Sequence, residues 1–242
     1  ASAVVVDAAT YGYPLTNPFE ATIASTPPDL RPELPTDDDI DQSDYSLNLR
    51  PEREFTLPDN FWAVKKLRYR LARQDHEAPL IFLIAGTGAP YTSSLNEYLK
   101  RLYYKAGYHV VQLSSPTSFD FISAASRFAT PGVTAEDAED LYRVMQGVRA
   151  QHPRLPISEF YLTGYSLGAL DAAFVSHLDE TRRSFNFKRV LLLNPPVNLY
   201  TSISNLDRLV QTQVEGIDNS TNFYDLVLGK LTRYFNEKGY LD

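Results

Sequence analysis

Apolar residues gather into short runs through the middle of the chain, and the spacing within each run assigns it an element. From Leu80 to Ala85 every residue is apolar (Leu80, Ile81, Phe82, Leu83, Ile84, Ala85), as expected of a strand buried on both faces of a parallel sheet, and Gly86-Thr87-Gly88 ends it. His109–Leu113, Phe160–Thr163 and Arg189–Leu193 read as further strands, the last also buried. Leu95, Leu99, Leu102, Tyr103 and Ala106 recur at helical spacing, with Ser94 and Glu97 placed as a capping box and Gly107 as a stop. Residues 114–133 read as a long loop. Thr134 then caps a helix with Ala138, Leu141, Tyr142, Met145 and Val148 on one face. Ahead of all these, Phe55–Leu57 and the alternating Ala63–Leu71 read as a half-exposed edge pair. Strands alternating with helices of this length give an α/β chain with a mostly parallel sheet and helices on both faces.

Charge divides the chain unevenly. Residues 1–62 hold 12 acidic and 3 basic residues together with eight of the 16 prolines, whereas the remainder holds 18 and 20. Residues 1–54 are therefore read as an acidic, proline-rich N-terminal arm, 55–199 as the sheet core and 200–242 as a helical cap. The run Asp37, Asp38, Asp39, Asp41 and Asp44 lacks the glycine and closing glutamate of a calcium loop, having Gln42 and Asn48 there, and reads as a solvated acidic face. In the cap, Leu206, Leu209 and Val210, then Phe223, Tyr224, Leu226, Val227, Leu231, Tyr234 and Phe235, form apolar helical faces.

Composition removes several function classes. A net charge of −7 with no run of Lys or Arg disfavours nucleic acid and anionic membrane surfaces. No apolar stretch approaches the roughly 18 residues of a membrane-spanning helix. The absence of Cys excludes disulfides, a Cys nucleophile, Cys-ligated zinc and iron–sulfur chemistry within the chain, and no metal or organic cofactor is expected. Ala1-Ser2-Ala3 has the small residues of a signal-peptidase site and favours export to a bacterial periplasm.

One motif carries chemistry. Gly164-Tyr165-Ser166-Leu167-Gly168 is G-x-S-x-G between a strand of β-formers and an alanine-rich helix containing Ala169, Ala172 and Ala173, the context of a nucleophile elbow. A tight strand-to-helix turn needs Gly164 and Gly168 because side chains there would collide with backbone, and it pushes the Ser166 hydroxyl out at the carboxyl end of the sheet. The helix start adds N–H groups and a positive dipole end, with Leu167 N–H as the first oxyanion donor. A dinucleotide reading of Gly86-x-Gly88 fails, since Tyr91 stands where the third glycine would fall and no acid follows the next strand.

On these residues, from about Phe55 to Leu193, the chain resembles the α/β-hydrolase superfamily: an antiparallel opening pair, four parallel strands and the elbow after the third of them. The resemblance implies a serine hydrolase acting on an ester, thioester or related acyl bond of a small-molecule or lipid-like substrate. It also implies a second oxyanion donor from the loop Gly86-Thr87-Gly88-Ala89, with Thr87 first and Gly88 second, and a helical lid after the last visible strand. In that family a histidine follows the acid near the C-terminus. Here His177 lies 11 residues into the helix that Ser166 begins, roughly 16 Å along its axis. His76, His109 and His152 precede strands and belong to the opposite edge of the sheet, as surface or loop residues. Of the late acids, Asp207 and Asp225 are the candidates for orienting a histidine, and both read as solvent-facing helix residues. The catalytic histidine and acid are thus not identifiable in this chain. Either a C-terminal fragment of the same gene product supplies them, or the fold is a catalytically inactive binding or scaffold protein.

Overall fold

Apolar side chains alternate along β3 (Ala78–Ile84), and that alternation builds two cores. A computed structural model describes residues 30–49 and 65–213 together with a few isolated positions. In it, Leu80, Phe82 and Ile84 face one hydrophobic cluster, while Ile81 and Leu83 face another on the opposite side of the sheet. Successive strand residues point to opposite faces, so a run apolar at every position must be covered twice.

The chain divides into two compact units, residues 34–204 and residues 1–33 with 205–242, and the sheet belongs to the first. In chain order the elements are β1 (Gln42–Leu47), β2 (Leu67–Ala72), β3, α1 (Ser94–Lys105), β4 (His109–Leu113), α2 (Phe119–Ala124), α3 (Thr134–Gln151), β5 (Ile157–Tyr165), α4 (Leu167–Arg182), β6 (Arg189–Leu193) and α5 (Leu199–Gln213). The six strands run in the order β1-β2-β4-β3-β5-β6. β4, β3, β5 and β6 are mutually parallel, and β2 and β1 complete the sheet antiparallel. Leu141, Tyr142, Met145 and Val148 of α3, with Ala172 and Val175 of α4, cover one face; Leu99, Leu102 and Tyr103 of α1 cover the other. The α/β class and mostly parallel sheet are as the pattern predicts.

Several local expectations change. The outer strand of the antiparallel pair is Gln42–Leu47, inside the segment read as an arm, so the sheet begins before residue 55. Phe55–Leu57 lies outside the described residues, as do the aromatic faces beyond residue 213. The acidic run is exposed, as its pattern predicts, and three of its five carboxylates are also paired: Asp37 with Lys100 and Arg101, Asp41 with Arg73, and Asp44 with Arg68 and Arg70. Lys100 is fully buried and also reaches Gln42 Oε1 and Glu97 Oε2, both at 2.6 Å. Neither expected helix cap forms. Ser93 is the N-cap of α1 but turns its hydroxyl to Tyr165, while Glu97 is held by Arg70, Lys100 and Gln112. Val133, not Thr134, caps α3, and the long loop before it contains α2.

β6 departs furthest from its reading as buried. Leu191 and Leu192 are 49% and 38% exposed, because β6 is the edge of the sheet among the described residues. An all-apolar strand is buried only when both of its faces are covered.

Candidate active site

Ser166 stands between the end of β5 and the start of α4 with φ 53° and ψ −126°, a conformation that L-residues avoid and that persists only where surroundings over-determine it. Two constraints are visible. Its N–H donates to Leu193 O at 2.9 Å, anchoring the turn to the end of β6. The two glycines of the motif let backbone pass where no side chain fits: a Cβ on Gly164 would lie 2.2 Å from Gly168 O, and one on Gly168 would lie 2.4 Å from Ala85 O. The side chain of Ser166 is exposed at the carboxyl ends of the parallel strands.

That elbow follows the third of four parallel strands, in a sheet opened by an antiparallel pair. This is an α/β-hydrolase fold. No protein-family model matches the chain, and no curated protein does. Solved structures similar to it include brefeldin A esterase, a bacterial homologue of human hormone sensitive lipase, at 17% identity and TM-score 0.48, covering 79% of this chain and 51% of that one. An esterase from Pyrobaculum calidifontis matches at 21% identity and TM-score 0.43, over 65% and 46%. Est1E from Butyrivibrio proteoclasticus matches at 14% and 0.41, over 54% and 47%. The chain therefore spans about half the length of each.

The elbow sits directly beside the loop after β3. A Cβ on Gly86 would meet Tyr165 Cε2 at 2.7 Å and Ser166 Cβ at 3.2 Å, so the loop backbone passes against the nucleophile candidate. This requirement at Gly86 escaped the sequence reading. The Tyr165 hydroxyl is hydrogen-bonded to Ser93 Oγ at 3.0 Å, which pins the ring under the loop. Of the expected oxyanion donors, Leu167 N–H opens the helix, where no carbonyl of its own helix can reach it, while Ala169 and Leu170 N–H both turn back to Ser166 O. Thr87 N–H has no partner among the described residues. Gly88 differs: its N–H donates to Thr117 Oγ1 at 2.7 Å, which removes it from the donor set. α1 begins only at Ser94, so the Gly86-x-Gly88 turn does not open directly into a helix, as a dinucleotide fingerprint would.

All four histidines are engaged elsewhere. His76 contacts Asp75, and His177 pairs with Glu180 on the exposed face of α4. His152 Nε2 meets the Tyr69 hydroxyl at 2.7 Å. His109 is buried, contrary to its reading as a surface or loop residue: Nδ1 accepts from Gln74 N–H, and Nε2 lies 3.0 Å from Pro156 O. That arrangement fixes the neutral tautomer with its proton on Nε2, and burial holds the pKa of His109 below the ordinary value.

One acid near the elbow is anomalous. Asp171, five residues along α4 from Ser166, is 1% exposed, and neither carboxylate oxygen has a hydrogen-bond partner. Burial, reinforced by the charge of Asp137 on α3, pushes its pKa up to about 8. Asp137 accepts the Gly132 N–H at 2.7 Å, which opposes the effect of burial, and its pKa rises to about 6. Burial thus favours the protonated form of Asp171, and its carboxyl bonds none of the four histidines. Among the described residues no group of three His, Asp or Glu could hold a metal ion. No helix there is long and apolar enough to cross a membrane.

Proposed function

We propose that this chain is the nucleophile-bearing part of a serine hydrolase acting on an ester, thioester or related acyl bond of a small-molecule or lipid-like substrate. The observation that carries the reading is the strained, exposed Ser166 at the open N-terminus of α4. Such strain clusters at working sites, and this position serves attack on a carbonyl. Ser166 Oγ adds to the carbonyl carbon while its proton passes to a histidine. The carbonyl oxygen becomes an oxyanion held by the N–H groups of Leu167 and Thr87. The leaving group departs with the proton, and water, activated by the same histidine, cleaves the acyl-serine.

The histidine is supplied from outside these 242 residues, by a C-terminal portion of the same gene product, since every histidine present is committed elsewhere. That commitment equally favours a second reading, a binding or scaffold protein that keeps the hydrolase fold without its chemistry. Treating the intact gene product with a fluorophosphonate and mapping the labelled peptide separates the two. A label on Ser166 is expected; an unlabelled Ser166 leaves the binding protein.

A further inference from the structure

The loop that passes Ser166 has little to hold it in itself. Residues 86–89 make one internal turn bond, from Ala89 N–H to Gly86 O at 3.0 Å, and a Cβ added at Gly88 would touch nothing within 4 Å. Gly88 also has φ +68°, the backbone region most open to glycine, so neither packing nor a side chain restrains the loop at that point.

What restrains it comes from the segment after β4. Gly88 N–H donates to Thr117 Oγ1 at 2.7 Å, and Ser115 N–H donates to Ala89 O at 3.0 Å. Thr117 is itself fixed: its N–H donates to Ser115 Oγ at 3.2 Å, and the two hydroxyls lie 2.8 Å apart. Ser115 is fully buried, so the support beneath Thr117 does not turn with solvent. One turn away, Tyr91 N–H donates to Ser114 Oγ at 2.9 Å, and that hydroxyl donates to Asp120 Oδ2 at 2.8 Å. The loop is thus held on one side by the Tyr165 ring and on the other by a row of hydroxyls.

We propose that Thr117 is a positioning residue: it holds residues 86–89 against Ser166 and, by occupying Gly88 N–H, leaves Thr87 N–H rather than Gly88 N–H to face an oxyanion. The inference rests on the acyl-hydrolase reading of Ser166. Oxyanion donors act only when they already stand where charge develops, and a misplacement of about 1 Å costs on the order of a hundredfold in rate. Thr117 touches no reacting atom and works through Gly88.

The test compares Thr117→Val, which keeps the branched shape and loses the acceptor, with Thr117→Ser, which keeps the hydroxyl, in the intact gene product. Two quantities are read: hydrolysis of a p-nitrophenyl ester and hydrogen exchange of the Gly88 amide by NMR. In Thr117→Val, kcat falls by about tenfold to a hundredfold with KM within about twofold, and Ser restores kcat to within about threefold. Gly88 exchange accelerates by about tenfold or more in Val and returns to the wild-type rate in Ser. Unchanged exchange in Thr117→Val overturns the proposal whatever the activity, and faster exchange with unchanged kcat overturns the positioning role. If the wild type neither hydrolyses the ester nor takes a fluorophosphonate at Ser166, the hydrolase reading falls. The exchange rates then decide by themselves whether Thr117 holds the loop.

Discussion

The N–H of Ser166 donates to the carbonyl of Leu193 at 2.9 Å, tying the tip of the elbow to the last residue of the edge strand. Strand pairing continues to that point, with Tyr165 opposite Leu193. The serine is therefore held in its unfavourable conformation by the sheet on one side and by the helix it begins on the other.

Strain held in this way is measurable. Ser166→Gly removes the cost of a positive φ, whereas Ser166→Ala keeps it, so the glycine variant is expected to be more stable than the alanine variant by about 1 kcal/mol. Both lose fluorophosphonate labelling. Urea unfolding of the two variants provides the comparison, and a glycine variant no more stable than the alanine one would contradict the strain.

The glycines around the serine differ in kind. Gly164→Ala drives a Cβ to 2.2 Å from a backbone oxygen, and nothing there can yield, so a loss of about 3 kcal/mol or more is expected. Gly86→Ala meets the edge of the Tyr165 ring at 2.7 Å. The ring can tilt by breaking its contact with Ser93, for a cost of about 1–3 kcal/mol. The expected signature is a folded protein with reduced reactivity at Ser166 for Gly86→Ala and a poorly folded one for Gly164→Ala. Thermal melts read beside labelling rates check both.

Asp171 makes stability depend on pH with a definite sign. Below about pH 4 the folded and unfolded states both carry its proton, and the group adds no pH-dependent cost. As pH rises the unfolded chain releases that proton, while the folded chain keeps it until about pH 8. The folded state binds more protons throughout that window and loses stability as pH climbs, by up to about 1.4 kcal/mol per pH unit. Asp171→Asn abolishes this slope. Its gain in melting temperature over the wild type is expected to widen from pH 4 to pH 8 and then level off; a constant gap would sink the assignment of a buried neutral acid.

Among the described residues β6 is an edge strand with Leu191 and Leu192 exposed on it, the arrangement through which strands recruit other chains. Leu192→Lys places a charge there without touching the Ser166–Leu193 bond. Sedimentation velocity on this 242-residue chain is expected to show concentration-dependent association in the wild type and less of it in the variant. Equal association would place the sticky surface elsewhere.

The parts of the fold legible in the sequence are those where one physical demand acts alone. β3 and β4 are covered on both faces, so their apolar runs mark them within a residue or two, and the G-x-S-x-G turn declares its own backbone. β1 was hidden because four of the six residues of Gln42–Leu47 are polar and the strand lies among acids; Asp44 opposite Arg70 shows that its charge is a partner of the sheet. β6 misled for the opposite reason, since three leucines read as buried whether or not anything covers them. Gly86 declared itself only as the end of a strand, and Thr117 gave no local signal. Their roles depend on Tyr165 and Gly88, which are distant in the chain and become neighbours only in the folded sheet.

The pairing of the acidic segment with Lys100, Arg101, Arg68, Arg70 and Arg73 also imposes an order in time. Residues 37–44 are synthesised before every one of their basic partners, and Lys100 follows Asp37 by 63 positions. Until Arg68 emerges none of those partners exists, and the segment, with five aspartates in eight residues, has a charge pattern that favours solvation over collapse. Its full set of ion pairs therefore closes only once β2 and α1 have been made, although this segment leads into the earliest strand of the sheet.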